Sequence, residues 1–556
     1  MKKKWWNEKV AYQIYPRSFY DSNGDGIGDV RGIVEKLDYL QSLGVDLVWI
    51  SPIYQSPMKD NGYDISDYYS IDPVFGTSGD MEELLVKAGE RDIRILMDLV
   101  VNHCSSEHEW FQKALQNPKG EYGDYFIIRE GRDGQAPNNW RSIFGGSVWE
   151  LIEGTNLYYY HTFAKEQPDL NWENPRLRRE IYSMMNWWLQ KGLGGFRVDA
   201  ITYIKKDPSY RSLPPDGADG LADLETVSSN YPGIEVFLRE MRSKTFDVYD
   251  AFSVAEMSGV DAEKLEEYIG PDGLFCSIFD FSYMELDVDA FQWFRPRKVT
   301  AKRIKERLFE SQQMAQEADS FLSVVLENHD QPRSLSKWFG EEEIGYLSAT
   351  MLAVFNLTLR GIPFIYQGEE IGMSNTHFDD IHCYEDIMTW GQYERAKKEG
   401  ISQEECLDMA NRRSRDHART PMQWEDSKNA GFSPSLPCFP VNENYRTVNV
   451  RAQEQGRSIL NFYREMIRLR KSKALRDVLV YGTFEPELEE EENVIAYRRS
   501  FGSRTVCVML NFVNREQKVA VPGIPGEVFI SNYGGTKIYA PDYILRPFEA
   551  VLFGID

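Results

Sequence analysis

Residues 194–200 read Gly-Gly-Phe-Arg-Val-Asp-Ala, a short run of extended character that ends beside a carboxylate. The stretch 175–192 before it has the apolar period of an amphipathic helix. This alternation recurs along the chain, with eight strand candidates at 11–16, 47–52, 94–103, 194–200, 251–257, 273–281, 321–330 and 361–370. Eight strands with helices between them predict an α/β protein built on a (β/α)8 TIM barrel.

Two parts of the chain depart from this alternation. Residues 104–174 are rich in Gly, Asn, Trp and Tyr and show little helical period, which predicts a small loop-rich domain inserted after strand 3. Beyond residue 478, strand candidates at 494–498, 505–512, 518–521, 527–531 and 543–553 follow one another without helices. They predict a C-terminal antiparallel β-sandwich domain over 479–556. The catalytic barrel is then expected to comprise residues 1–103 and 175–478.

The composition narrows the classes of partner and compartment. With 63 Lys+Arg against 87 Asp+Glu the net charge is −24, so we expect binding to neither nucleic acid nor anionic membrane surfaces. No 18-residue apolar run occurs, and the six cysteines form no C-x-x-C pair. The chain is therefore predicted to be a cytoplasmic protein, a monomer or a weak homo-oligomer, without an organic cofactor.

Carboxylates cluster where the predicted strands end, which is where reactive groups lie in such barrels. Arg197 and Asp199 are two residues apart on a strand, so both side chains point to one face and the cation favours ionised Asp199. Glu256 ends the next strand, and we expect it to be a second carboxyl in a drier setting that stays protonated as the acid. Such a pair suits glycoside cleavage, with retention at a separation of roughly 5 Å and inversion at roughly 6.5–9.5 Å. The alternative for each residue alone is a structural ion pair.

Four strand-end motifs carry a resemblance to a known family. The motifs are DLVVNH at 98–103, GFRVDA at 195–200, VAEM at 254–257 and ENHD at 327–330. Together they resemble the four short regions of the α-amylase superfamily, glycoside hydrolase family 13. The resemblance continues from VAYQIYPRSFYDSNGDGIGD at 10–29 to ARTPMQW at 418–424. The QPDLN stretch at 167–171 is similar to the signature of the oligo-1,6-glucosidase, dextran glucosidase and α-glucosidase group.

The resemblance implies a role for each matching residue. Asp199 matches the nucleophile, Glu256 the general acid/base and Asp330 the third carboxylate, which steadies the transition state. The other matches concern substrate binding: His103, His329, Arg197, Asp60 with Arg415, Tyr63, Gln167, Phe144 and Phe163. Asp60 and Arg415 resemble the pair that closes the pocket beyond the terminal sugar. A pocket closed in this way implies exo-action, the removal of one terminal glucose from a short chain.

The loop 21–29 reads Asp-Ser-Asn-Gly-Asp-Gly-Ile-Gly-Asp and places oxygen atoms at alternate positions. Such spacing suits a hard divalent cation, although Gly32 stands where an EF-hand has its glutamate. In the resembling glucosidases a matching loop holds structural Ca2+ or Mg2+, which implies the ligands Asp21, Asn23, Asp25, Ile27 and Asp29. The alternative is a hydrogen-bonded turn without metal.

The residue after the proposed nucleophile is Ala200, where relatives strict for α-1,6 bonds usually carry valine. We therefore predict a retaining α-glucosidase active on both α-1,6 and α-1,4 bonds, with a strict oligo-1,6-glucosidase as the first alternative. Sucrose-active enzymes and trehalose-6-phosphate hydrolase are further alternatives, and Lys205-Lys206 is the nearby basic pair available for a phosphate. A non-catalytic sugar-binding or transporter-partner protein is the alternative from another class, but the chain retains all three carboxylates.

Overall fold

The computed structural model describes residues 3–217, 219–257, 259–289 and 292–555. All eight predicted barrel strands are confirmed: β1 Ala11–Ile14, β2 Leu47–Ile50, β3 Arg94–Val100, β4 Gly195–Asp199, β5 Phe252–Ala255, β6 Ser277–Ile278, β7 Ser323–Val324 and β8 Ile362–Tyr366. They pair in parallel in the order β6-β5-β4-β3-β2-β1-β8-β7. A parallel bridge between Phe279 and Ser323 joins the two edges and closes the barrel.

Helices surround the barrel, as the (β/α)8 prediction requires. The α-helices of eight or more residues are Ser78–Gly89, Glu109–Gln116, Pro175–Gln190, Ile234–Lys244, Ala262–Ile269, Ala301–Glu317, Tyr346–Thr358, Ile387–Lys398, Gln403–Arg413 and Ile459–Lys471. Shorter α-helices are Val30–Glu35, Leu37–Leu43, Glu225–Ser228, Phe246–Tyr249, Ser334–Trp338, Asp416–Arg419, Val450–Gln453 and Arg476–Tyr481.

The β4 motif shows how local sequence produces this geometry. Helix Pro175–Gln190 begins with the Asn174 side chain accepting from the Arg176 backbone N–H at 2.8 Å, followed by proline at the first helical position. Gly195 has φ of 152°, and a Cβ on it would lie 1.9 Å from the Phe252 carbonyl oxygen of β5. Glycine at 195 therefore lets β4 and β5 approach, which brings the ends of both strands together.

The inserted region contains a three-stranded antiparallel sheet, Ile128–Glu130, Leu157–Tyr160 and Trp149–Leu151. Part of the long connection after β4 also packs onto it. Trp140 forms a bridge with Ala222, and Trp140 shares a buried apolar cluster with Leu224 and Val227. The sequence did not predict this second contribution, because the two segments are distant along the chain.

A second unpredicted unit lies beside the barrel mouth. The two-stranded ribbon Val288–Asp289 and Gln292–Pro296 packs with helices Ile387–Lys398 and Gln403–Arg413 around a small apolar cluster that includes Trp293. We call this ribbon and these two helices the side unit. It supplies part of the wall of the site described below.

The predicted C-terminal β domain is confirmed. Its five-stranded antiparallel sheet has the order Thr483–Glu487, Val494–Phe501, Arg504–Asn511, Ala550–Ile555 and Pro525–Ser531, and Gln517–Ala520 pairs separately with Asp542–Leu545. The single strand predicted over 543–553 was wrong, since it is divided by a turn in which Phe548 has φ of 51°. Strand Thr483–Glu487 was not predicted.

Among the described residues, none of the helices combines the length and apolar character needed to cross a bilayer.

Candidate active site

The centre of the site is the buried guanidinium of Arg197 on β4. Its Nη1 donates to Asp98 Oδ1 at 2.7 Å and to Asp199 Oδ1 at 2.6 Å, and its Nη2 lies 2.9 Å from Glu256 Oε2. Register explains the first contact, because Asp98 of β3 pairs with Arg197. The second follows from side-chain alternation, since Asp199 is two residues beyond Arg197 on the same strand. One cation thus holds three carboxylates from three adjacent strands.

Glu256, just beyond β5, is also held by the backbone of its neighbour. Its Oε2 accepts the Ala200 backbone N–H at 3.0 Å. Ala200 has φ of 43°, a left-handed conformation that is uncommon for a residue other than glycine. The side chain of Glu256 is 30% exposed whereas that of Asp199 is 9% exposed. The drier setting is therefore that of Asp199, and the expectation that Glu256 would occupy it was wrong.

The protonation of Asp199 depends on opposing effects. Burial raises the pKa of Asp199 well above its usual range; Arg197 lowers this pKa and the Glu256 carboxylate raises it further. Arg197 therefore favours ionised Asp199, as the sequence predicted, but burial outweighs it. Protonation of Asp199 therefore competes at a higher pH than it would for an exposed aspartate.

Asp330 lies in the opposite situation, with cations on two sides. Arg415 and Arg419 donate to its Oδ1 at 2.9 and 3.1 Å, and His329 Nε2 lies 3.0 Å from its Oδ2. The Gln13 amide nitrogen lies 2.8 Å from the other ring nitrogen of His329, Nδ1. Although burial alone would raise it, His329 and Arg415 hold the pKa of Asp330 well below the usual range.

One end of the site is closed by a dense polar network. Arg415 Nη2 lies 2.6 Å from buried Asp386 and 3.8 Å from Asp60. The Gln167 amide nitrogen donates to Asp60 at 3.1 Å and lies 3.2 Å from a ring nitrogen of His103. Burial lowers the pKa of His103, which favours its neutral ring.

The structure brings all twelve predicted catalytic and substrate-binding residues together. A cavity of about 220 Å3 is lined by nine of them: Asp60, Tyr63, His103, Phe144, Phe163, Asp199, Glu256, Asp330 and Arg415. Gln167, Arg197 and His329 lie directly behind the lining and bond to it. The volume is below the roughly 300–1,000 Å3 of pockets for drug-sized ligands, so the cavity suits a short ligand.

Tyr63 and the two phenylalanines line the cavity. The Tyr63 hydroxyl donates to Asp98 at 3.0 Å and lies 2.6 Å from His329 Nε2, with its ring parallel to the imidazole. The Phe163 ring packs 5.2 Å from His103 and 5.5 Å from Phe144. The inserted region thus contributes an aromatic wall.

Sequence reasoning missed several residues of the site. Asp98 belongs to the DLVVNH motif. It lies an even number of residues before the end of β3, and this alternation is the sequence signal that its side chain faces Arg197. Asp386, Arg413, Glu285 and Met388 come from segments without a strand-end pattern, so no comparable signal marks them. Only tertiary packing brings these residues to the site, because the side unit covers the barrel mouth.

The predicted metal loop is held by hydrogen bonds. Asp21 Oδ1 accepts the Gly24 N–H at 2.7 Å, Asp21 Oδ2 accepts the Ser433 hydroxyl at 2.6 Å, and Asp29 caps a helix by accepting the Gly32 N–H at 2.7 Å. Asn23 and Asp25 each close a local turn with the N–H two residues on. Within the described ranges, no three His, Cys, Asp or Glu side chains are grouped so as to hold a metal ion.

The basic pair considered for a phosphate is engaged elsewhere. Lys206 is buried, with its Nζ 2.5 Å from Asp169, and Lys205 pairs with Glu173 at 2.5 Å. Neither lysine lines the cavity.

Comparisons with known proteins agree with this geometry. The family model for the α-amylase catalytic domain matches residues 13–482. The chain is 43% identical over 566 residues to an oligo-1,6-glucosidase of Parageobacillus thermoglucosidasius, with 100% of both chains covered. It superposes on trehalose-6-phosphate hydrolase of Bacillus licheniformis with a TM-score of 0.92 and 37% identity, covering 99% of this chain and 100% of the other. For trehalulose synthase of Pseudomonas mesoacidophila MX-45 the TM-score is 0.93 at 36% identity, with 100% of each chain covered. The chain therefore belongs to the α-amylase family, glycoside hydrolase family 13, and is a glycoside hydrolase.

Proposed function

We propose that the protein is a retaining, exo-acting α-glucosidase that releases terminal glucose from short α-1,6- and α-1,4-linked oligosaccharides such as isomaltose and maltose. The observation that carries this proposal is the Arg197 guanidinium bonded to both Asp199 and Glu256 at the base of a cavity closed at one end. A carboxylate pair on adjacent strands suits a double displacement. The oligo-1,6-glucosidase relative supports the same class of substrate.

In the proposed mechanism Glu256 protonates the glycosidic oxygen while Asp199 attacks C1 from the opposite face. The C1–oxygen bond breaks, the leaving sugar departs and a β-glucosyl ester forms on Asp199. Glu256 then removes a proton from water, which opens the ester and releases α-glucose. Asp330 and the neutral His103 hold sugar hydroxyls, and two displacements retain the configuration.

Exo-action follows from the closed end of the cavity. Asp60 and Arg415 are only 6% exposed each, and Arg415 is fixed by Asp330 and Asp386. A chain that continued beyond the terminal glucose would have to displace these paired groups, whose uncompensated burial is costly. The pocket therefore favours the last glucose of the non-reducing end.

Ala200 supports activity on both linkages, because its small side chain lines the cavity beside Glu256. A strict oligo-1,6-glucosidase remains the second candidate, supported by the name of the relative. Trehalose-6-phosphate hydrolysis is disfavoured, because Lys206 is already paired with Asp169. A non-catalytic role is disfavoured by the complete carboxylate set.

The test is to measure initial rates on maltose, isomaltose, sucrose and trehalose-6-phosphate in parallel. We expect comparable kcat/KM for the first two and much lower values for the others. Asp199→Asn should lower the rate on each substrate by on the order of 10^4-fold. Activity on isomaltose alone would establish the stricter candidate, and activity on trehalose-6-phosphate alone would contradict the proposal.

We further propose that loop 21–29 holds Ca2+, or Mg2+, through Asp21, Asn23, Asp25, the Ile27 carbonyl and Asp29. Hard oxygen donors of this kind suit such cations. Support comes from Gly24 and Gly26, whose φ of 82° and 96° produce the tight turn. Removing metal with EDTA should lower Tm by several degrees, reversibly on adding Ca2+. An unchanged Tm would favour the hydrogen-bonded turn alone.

The proposed compartment is a reducing one, the cytoplasm. All six cysteines are free thiols, which supports this placement.

A further inference from the structure

One wall of the cavity carries a carboxylate that the proposed mechanism does not use, Glu285. Its side chain is 32% exposed, and it lines the cavity together with Gln331 and Arg413. Ile143 on the same cavity is 41% exposed, whereas Asp60 at the closed end is 6% exposed. Glu285 bonds to Arg413 of the side unit rather than to the closed-end residues Asp60 and Arg415. It therefore lies on the part of the wall where the portion of a substrate beyond the terminal glucose has to sit.

The Glu285 carboxylate is held in a fixed position by two donors. Arg413 Nη2 donates to Oε2 at 2.9 Å, and the Gln331 amide donates to Oε1 at 2.6 Å. Arg413 in turn donates to both oxygens of Asp287, at 2.9 Å each. Although burial alone would raise it, Arg413 holds the pKa of Glu285 below its usual range. Each ionised oxygen keeps acceptor capacity for a ligand hydroxyl.

The charge around the cavity restricts the class of leaving group. Five carboxylates line it: Asp60, Asp199, Glu256, Glu285 and Asp330. Among the described lining residues the arginines are Arg413 and Arg415, and both are engaged by carboxylates. An anionic leaving group would meet repulsion here, whereas a neutral, hydroxyl-rich one would find a charged acceptor.

We propose that Glu285 is a specificity-determining residue that accepts hydrogen bonds from the hydroxyls of a neutral leaving sugar. The inference rests on the proposed function, since it assigns the subsite next to the glucose that is cleaved off. The same contact would hold an acceptor sugar when glucose is transferred to a sugar instead of water. Arg413 and Gln331 act as positioning residues for this carboxylate.

The test compares leaving groups with and without sugar hydroxyls. For Glu285→Gln, kcat/KM on maltose and isomaltose should fall by about 10-fold, because a charged acceptor is replaced by a neutral amide of the same size. On 4-nitrophenyl α-glucoside, whose leaving group lacks sugar hydroxyls, it should stay within about 2-fold. An equal loss on all three substrates, or no loss on the disaccharides, would overturn the inference.

Asp287→Asn is the matched control, since Asp287 contacts the same Arg413 but does not line the cavity. Because Arg413 positions Glu285 while Gln331 still holds its other oxygen, this variant should show at most a small part of the selective loss on disaccharides. A loss as large as that of Glu285→Gln would mean that the position of Arg413 rather than the Glu285 carboxylate sets the specificity, and the inference would fall. A wild-type protein that cleaved none of the three substrates would overturn the proposed function itself, a result distinct from the pattern of losses above.

Discussion

The closed end of the cavity and its mouth are built in different ways. At the closed end Asp60 and Arg415 are almost fully buried, and Arg415 bonds to two further carboxylates. At the mouth Glu285 is about one third exposed and belongs to a wall supplied partly by the side unit. The closed end therefore recognises the terminal glucose rigidly and in the same way for all substrates. The leaving group is recognised by different residues, at the mouth, which substitutions can change independently.

This division predicts that substitutions at the base or closed end affect every α-glucoside alike. Substitutions at the mouth should instead change the ratio between substrates.

Among substitutions of residues that do not themselves react with the substrate, the largest effect is expected at the base, for Arg197→Gln. Losing the cation should lower kcat/KM at neutral pH by about 10^2- to 10^3-fold on maltose and isomaltose equally. Because Arg197 lowers the pKa of Asp199, its removal raises that pKa further. Protonated Asp199 cannot attack, so the acid limb of the kcat/KM profile should move to higher pH. An acid limb that stays in place would show that the protonation of Asp199 does not determine it. Arg197→Lys, which keeps the positive charge, is the control and should shift the limb less than Arg197→Gln does.

A smaller loss is expected at the closed end, for Arg415→Gln. It removes the cation that contacts Asp330 and Asp386, so kcat/KM should fall by about 10^2-fold. The factor should be the same for maltose, isomaltose and 4-nitrophenyl α-glucoside, since all three present the same terminal glucose. A loss that differed strongly between these substrates would contradict the claim that the closed end recognises the terminal glucose of every substrate in the same way. Thermal unfolding of the variant separates this effect from loss of folded protein.

The smallest effect is expected for Ala200→Val on the cavity lining. The added methyl groups should lower kcat/KM on maltose relative to isomaltose by about 10-fold. Ala200 has φ of 43°, which disfavours a β-branched residue, so Tm should fall as well. Ala200→Ser is the control with less added bulk. An unchanged maltose-to-isomaltose ratio would mean that Ala200 does not control the choice of linkage.

The barrel was predictable because its signals are local. Each strand is a short apolar run, and side-chain alternation places Arg197 and Asp199 on one face before any tertiary contact is known. The side unit was not predictable in the same way. Asp386 reaches Arg415 across 29 residues, and the segment near Ala222 joins the inserted region through a bridge of backbone hydrogen bonds between segments distant in sequence. Such long-range contacts depend on how the folded helices and strands pack together. The local hydrophobic period of the sequence does not specify that packing.

The resemblance to the α-amylase superfamily allowed twelve residues of the site to be named from sequence, but it did not give the electrostatic environment of each. Arg197 beside Asp199 predicts an ionised carboxylate, and burial of Asp199, which opposes this, appears only in the folded chain. Likewise, loop 21–29 has the spacing of a cation site, while its folded form also satisfies Asp21 and Asp29 with hydrogen bonds. Sequence identifies the groups, and tertiary structure sets their environment.

The central claim is a double displacement by Asp199 and Glu256 on the terminal glucose. Proton NMR of the glucose first released from 4-nitrophenyl α-glucoside, recorded before mutarotation, tests it most directly, because the leaving group of this substrate is not itself a glucose. The account predicts that the α-anomer appears first and the β-anomer grows in later. Initial release of the β-anomer would show a single displacement and would contradict the roles assigned to both carboxyls.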